Sequence, residues 1–591
     1  MQSLHSQPFY TRLPDRKDRY IFCPFIILAA TTSIFLPNIF FGIDLTDTGY
    51  NIYKSWIMSH KPEMAMWFLT WFSTYLSGIT AKLFNVQSVF GFRLLWVALN
   101  GLTAITAYFV LIRFYQCREV ILPVIIGSLV SIAGSDQLLP SYYTIPPFLV
   151  LLSICAFIFT IDTRNIILGF AGGIICGILI FGAINSRIPI LPFYFTLLLP
   201  ILYIKGGSPS ASQYLRLKYA AIILGIFLAG TALFFLLKEK GLLHTFVDDI
   251  SGFTKRSLIS EQARFHHAGS VIGVTVIRLL VIIAEGGLFL IFLLSYAGTK
   301  YIRDKYKDLI LFLVACVTSS VAVVLLKPGF VLSAIIGMPL LLLCYNYVVN
   351  GSVLSSEKKI IYAVSIAFLL FMSFGSAGVS LNTVRYGVWL VMPVALIEST
   401  YMTATAKYIR KTIILFAVIF TIVVRIQMPY RDKPVYRLDT AFHTQSIGNI
   451  YSSKNRVAVL EELLVEIEKL QLEKYATAVC YTNIPLMYFL TRTVTPFKNP
   501  WLNIDSVDTA YIERKLDALE KNDDLPDIVI RAKNASVRNP YWPDNVAHDE
   551  PFMFSSDGGK EGLLDEFFQR HKYGVIWENE LFAVLSPDER P

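Results

Sequence analysis

Two carboxylates, Asp44 and Asp47, stand in the stretch GIDLTDTGYNIYKS just after the first apolar run of the chain. At the edge of a membrane a carboxylate can accept the proton of an attacking hydroxyl, and partial burial raises its basicity. The same pattern also starts a helix, with Asp44 or Thr46 capping and Asp47 at the positive helix end. Arg93 in VFGFRLLW, Arg187 in NSRIP and Arg385 in VRYGV each sit at the end of an apolar run. Such arginines anchor helices at lipid headgroups or, gathered beside one acidic loop, make a phosphate cradle. Asp136, in AGSDQLLPSYY, is a turn cap or a group that holds an acceptor or an arginine.

The elements that must position these groups are membrane helices. Of 591 residues 54% are hydrophobic and only 16% charged, with a mean hydropathy of +0.55, which excludes an ordinary soluble enzyme. The net charge of +9 sits mostly in short loops between apolar runs, so it marks cytoplasmic loops rather than a nucleic-acid surface. Spans of roughly 20 apolar residues, shorter where buried in a bundle, are expected at 21–41, 89–112, 120–133, 146–161, 166–184, 189–204, 219–237, 271–296, 309–326, 330–349, 360–378, 388–401 and 412–426. These make about thirteen. With residues 1–20 as a cytoplasmic N-terminus, the acidic stretch, Asp136, Arg187, Arg385 and everything after Gln427 fall on the outer face.

Residues 42–88 then form the first outer loop. Within it MAMWFLTWFSTYLSGITAKLF, Met64 to Phe84, reads as a helix lying along the interface, with Trp67, Trp71 and Tyr75 as an aromatic stripe; a crossing helix is the alternative. Lys61, just before it, reads alone as a snorkelling interfacial lysine. Residues 428–591 change in composition: a periodic helix at Arg456 to Lys474 and short strands at 477–480, 527–530, 573–577 and 581–585 make a small α/β domain. The Lys238 to Ser270 loop, with His266 and His267, reads as a solvated cover. Seven cysteines lack metal or disulfide spacing, and neither a metal nor another cofactor is expected.

In order and spacing, DLTDTGY, HKPEMAMWF and VFGFRLLW resemble the GT-C membrane glycosyltransferases, in the branch of the protein O-mannosyltransferases and the lipid A aminoarabinose transferase. Asp136, FGAINSRIPILP and VRYGVWLVMP extend the resemblance. It implies Asp47 as general base, with Asp44 as runner-up, and Lys61, Arg187, Arg385 and Arg93 as ligands of a donor phosphate. Two departures stand out: aspartates replace the branch's Asp-Glu pair, and Glu63 replaces the second proline of its Lys-Pro-Pro motif.

The expected protein is therefore a polytopic α-helical membrane protein, GT-C-like over 21–427, with an extracytoplasmic α/β domain. Its expected activity is inverting transfer of a sugar from a polyprenyl-phosphate donor to a glycan, lipid or protein acceptor of the cell envelope, on the outer side of a bacterial inner membrane. A transporter or flippase of lipid-linked sugar is a rival, because Arg278, Glu285 and Glu398 lie close to helix interiors. A non-enzymatic envelope assembly protein is another; it would use the tail for contacts.

Overall fold

The computed structural model of the protein describes residues 17–67, 70–133, 138–187, 193–194, 209–250, 329–350, 354–373, 385–401, 404–503, 507–533, 535–546 and 559–587. The spans expected at 271–296 and 309–326, Asp136, Arg278, Glu285 and the pair His266 and His267 lie outside the described residues, as does nearly all of 189–204.

Five described helices are long and apolar enough to cross a membrane: Phe22–Phe40, Val89–Leu111, Ile145–Asp162, Ile166–Ser186 and Tyr214–Glu239. The chain is an integral membrane protein. In chain order its helices are α1 (Lys17–Phe35), α2 (Asp47–His60), α3 (Trp71–Leu83), α4 (Val89–Leu111), α5 (Cys117–Ser131), α6 (Ile145–Asp162), α7 (Ile166–Ser186) and α8 (Pro209–Glu239). After these come α9 (Gly329–Asn350), α10 (Ser356–Ser373), α11 (Val388–Glu398) and α12 (Ala404–Gln427). One apolar core joins α1 and α4 to α7 with α9 to α12. The short α11 is buried along its whole length, as a helix walled in by other helices can be. Helices α7 and α8 approach until backbones touch: a Cβ on Gly177 would lie 2.1 Å from the Ile222 carbonyl oxygen, so only glycine fits there.

The first outer loop does not lie flat on its own. A 13-residue helix spans only about 20 Å, so α3 is too short to cross a bilayer unaided. Its aromatic stripe is packed inward: Trp67 and Trp71 meet the Phe246 ring at 5.2 and 5.8 Å. Residues 243–250 are helical, and Asp249 accepts a hydrogen bond from the Trp67 backbone at 3.2 Å. This part of the 238–270 segment is therefore a packing partner rather than a solvated cover.

The tail folds around a four-stranded sheet of order β3-β4-β6-β5. Two short strands, β1 (Thr440–Ala441) and β2 (Tyr451–Ser452), precede it, and the sheet strands are β3 (Ala478–Tyr481), β4 (Ile528–Ala532), β5 (Tyr573–Glu578) and β6 (Phe582–Pro587). β3 and β4 are parallel, with Ala478 opposite Ile528; β6 runs antiparallel to β4 and returns from β5 as a hairpin. Helices α13 (Lys454–Lys469), α14 (Leu486–Leu490), α15 (Thr509–Asn522) and α16 (Lys560–Arg570) cover it. One face of the sheet packs with α15 and α16. Residues of the other face share a core with Ile52, Tyr53 and Trp56 of α2 and with Trp71 of α3. Apolar area is removed from water on both partners, which holds the first outer loop to the tail. The stretch 442–453, expected from the sequence to be a linker, also joins the two parts: Tyr451 bridges to Phe41, and its carbonyl accepts from the Gly42 backbone at 2.9 Å.

Candidate active site

The loop ahead of α2 uses its first aspartate to build itself. Asp44 is buried; its Oδ1 accepts from the Thr46 backbone (3.1 Å) and hydroxyl (2.7 Å), and its Oδ2 from the Thr48 backbone (2.7 Å). These bonds satisfy donors that a helix start would otherwise leave orphaned. Asp47 is the first residue of α2, and its side chain keeps 23% of its surface exposed. Its Oδ2 accepts from the Tyr430 hydroxyl at 2.5 Å and pairs with Arg431, which also stands 3.6 Å from Asp44 Oδ1. Burial and the nearby Asp44 charge raise the Asp47 carboxyl above the ordinary carboxylate range, against the opposing pull of Arg431, Tyr430 and Arg538. A carboxylate so placed is a stronger proton acceptor than a solvated one.

Arg187 and Arg385 come together from distant parts of the chain. Both are 2% exposed. Arg187, just past α7, lies over the Tyr143 ring at 5.6 Å and donates to the Tyr142 carbonyl at 3.4 Å. Arg385, just ahead of α11, lies over the Tyr386 ring at 5.1 Å and donates to its hydroxyl at 3.2 Å. Tyr143 and Tyr386 stack at 5.1 Å with planes 11° apart, so two guanidinium groups flank one pair of rings. Tyr142 lies between the cluster and the acidic loop: burial raises its hydroxyl first, the neighbouring Tyr143 adds to that, and the Asp47 charge and Tyr50 follow. Tyr142, whose carbonyl accepts from Arg187, is thus the link between the arginine cluster and the loop that carries Asp47.

The other sequence candidates fall elsewhere. Arg93 is buried and donates to the carbonyls of Ile39 (2.8 Å), Phe41 (3.1 Å) and Gly42, closing the turn that ends the first membrane helix. That is a structural task. Lys61 caps the far end of α2, about 20 Å along the helix axis from Asp47, beside Glu63 at 4.0 Å and over the Tyr475 ring at 5.3 Å. The structure does not bring it to the arginine pair. Glu398, the described candidate for a polar group among the helices, meets Lys358 at 3.2 Å.

Lys54 escaped the sequence reading. It lies two turns along α2 from Asp47, is buried, and stands 3.5 Å from the Tyr50 hydroxyl; burial pushes its ammonium down to about 7. The available signal was spacing, because residues 47, 50/51 and 54 line one helical face. The tail also reaches the site. Trp501 meets Tyr50 at 5.7 Å with Arg538 over its own ring at 4.8 Å, and the Leu486 backbone donates to the Leu45 carbonyl at 2.9 Å. Among the described residues no group of three His, Cys, Asp or Glu side chains could hold a metal ion.

No family model and no curated protein matches the chain. Its fold is similar to that of ArnT from Cupriavidus metallidurans bound to undecaprenyl phosphate, with a TM-score of 0.51 and 10% identity over 97% of this chain and 98% of that one. The apo state of that protein aligns at 0.46 and 9% over 96% and 98%. The Archaeoglobus fulgidus oligosaccharyltransferase, tethered with an acceptor peptide, aligns at 0.46 and 13% over 95% and 80%. The first of these likenesses shows the fold, and it is the one that the resemblance to the GT-C membrane glycosyltransferases implies.

Proposed function

We propose that a protein built on this fold transfers a sugar, with inversion, from a polyprenyl-phosphate donor to a cell-envelope acceptor on the outer face of a bacterial inner membrane. The reading rests on one set of groups: a partly buried, basic carboxylate, Asp47, and two buried arginines, Arg187 and Arg385, that each lie over one ring of a stacked tyrosine pair. A structure sharing the fold holds undecaprenyl phosphate, a lipid whose charge such arginines suit.

In this reading Asp47 takes the proton of the acceptor hydroxyl while the acceptor oxygen bonds to the anomeric carbon. The bond from that carbon to the phosphate oxygen breaks, and its electrons leave with the lipid phosphate. Arg187 and Arg385 stabilise the negative charge left on the phosphate. Lys54, on the face of α2 that carries Asp47, regains a proton when an anion approaches and adds to that stabilisation. Asp44 builds the loop. Lys61 and Arg93 fall outside this phosphate site, and Asp136 is proposed to serve the acceptor or an arginine. Residues 1–20, 21–427 and 428–591 correspond to a cytoplasmic start, the catalytic membrane domain and an extracytoplasmic domain that presents or covers the acceptor. No metal or other cofactor is invoked.

Reconstitution in proteoliposomes with a panel of radiolabelled undecaprenyl-phosphate sugars and an envelope extract tests the reading. Labelled acceptor and freed undecaprenyl phosphate are expected from the parent protein and are lost in Asp47→Asn. Donor that crosses the bilayer without being consumed supports transport instead.

A further inference from the structure

Arg431 reaches the two aspartates from a backbone position with φ of +52°, in the left-handed region that bulky side chains rarely occupy. Neighbouring contacts hold it there. Its carbonyl accepts from Arg456 Nη1 at 2.9 Å, and the next residue, Asp432, pairs with the same guanidinium at 3.2 Å. Asp432 also accepts from the Ile43 backbone (3.0 Å) and the Ser452 hydroxyl (2.6 Å). On the other side, Tyr430 points its hydroxyl at Asp47. Two consecutive residues of the segment that leads from α12 into the tail therefore converge on one carboxylate.

We propose that Tyr430 and Arg431 are positioning residues for the base, fixing the Asp47 carboxylate and setting its protonation, so that the tail is a working part of the catalytic site through this loop. The proposal rests on the assignment of Asp47 as base. Among the described residues, the charged and titratable groups facing Asp47 are Asp44 from its own loop, Tyr50 on α2, Tyr142 ahead of α6, Tyr430 and Arg431 after α12, and Arg538 in the tail. Burial and Asp44 favour the neutral acid; Arg431, Tyr430 and Arg538 favour the carboxylate. Losing Arg431 or the Tyr430 hydroxyl must raise the Asp47 titration.

An infrared pH titration of the purified full-length protein reads this without any substrate, because the protonated-carboxyl band missing from Asp47→Asn belongs to Asp47. Arg431→Gly removes the cation while easing the left-handed backbone, and Tyr430→Phe removes one hydroxyl only. The expected result is a midpoint about 1 unit or more above the parent in Arg431→Gly and a smaller rise in Tyr430→Phe, with Arg431→Lys nearer the parent. In transfer assays the acid limb moves to higher pH by the same amounts, whereas a merely structural loss lowers the rate at every pH. Unmoved midpoints in both variants overturn the proposal and leave the base assignment standing if Asp47→Asn is inactive. Full transfer by Asp47→Asn overturns both.

Discussion

At the scale of single residues, the two aspartates divide their work by what each already binds. Asp44 spends both oxygens on Thr46 and Thr48, so Asp44→Ala leaves buried backbone donors unsatisfied at about 1–3 kcal/mol each. Thermal unfolding in detergent is expected to show that loss. Asp44→Asn keeps most of the shape but removes a charge that raises Asp47, and the acid limb of transfer then moves to lower pH, opposite to the Arg431 variants. Lys54 gives a second pH signature. Its folded pKa, about 7, is depressed from 10.5, so the burial cost is full below about pH 7 and fades as pH rises toward 10.5. Stability should climb across that window, and in Lys54→Met the climb should disappear. None of this division could be read from DLTDTGYNIYK: the cap and base readings of an aspartate use the same letters, and a lysine in an amphipathic helix looks solvated until its surroundings are known.

At the scale of elements, the site exists because α2 is clamped between the membrane helices and the tail. Gly49 touches α14 so closely that an added Cβ would lie 2.2 Å from the Leu486 backbone nitrogen. Gly49→Ala should cost about 1–3 kcal/mol and loosen Asp47 with it, seen as faster amide exchange in α2. Elements were more legible than contacts. The tail strands expected at 477–480, 527–530, 573–577 and 581–585 occur within a residue or two at 478–481, 528–532, 573–578 and 582–587, because short apolar runs bounded by polar turns admit few other structures. Helix 64–84 was less legible. Its aromatic stripe suits an interface as well as a core, and only the neighbour, Phe246, decides. Arg187 and Arg385 were identifiable as helix-end arginines, whereas the tyrosine pair between them is a product of tertiary folding.

At the scale of the whole molecule, the tail and the first outer loop are one structure, sharing a core and the buried pair Arg456–Asp432. Arg456→Met strands Asp432 without its charge partner at a cost of about 3–5 kcal/mol, and limited proteolysis should then release the tail. The proposed site lies where that joined structure meets the membrane helices. The direct measurement is the structure of the full chain with undecaprenyl phosphate. The phosphate is expected within hydrogen-bond reach of Arg187 or Arg385. A phosphate ordered at the Lys61 end of α2 instead would contradict the proposed site.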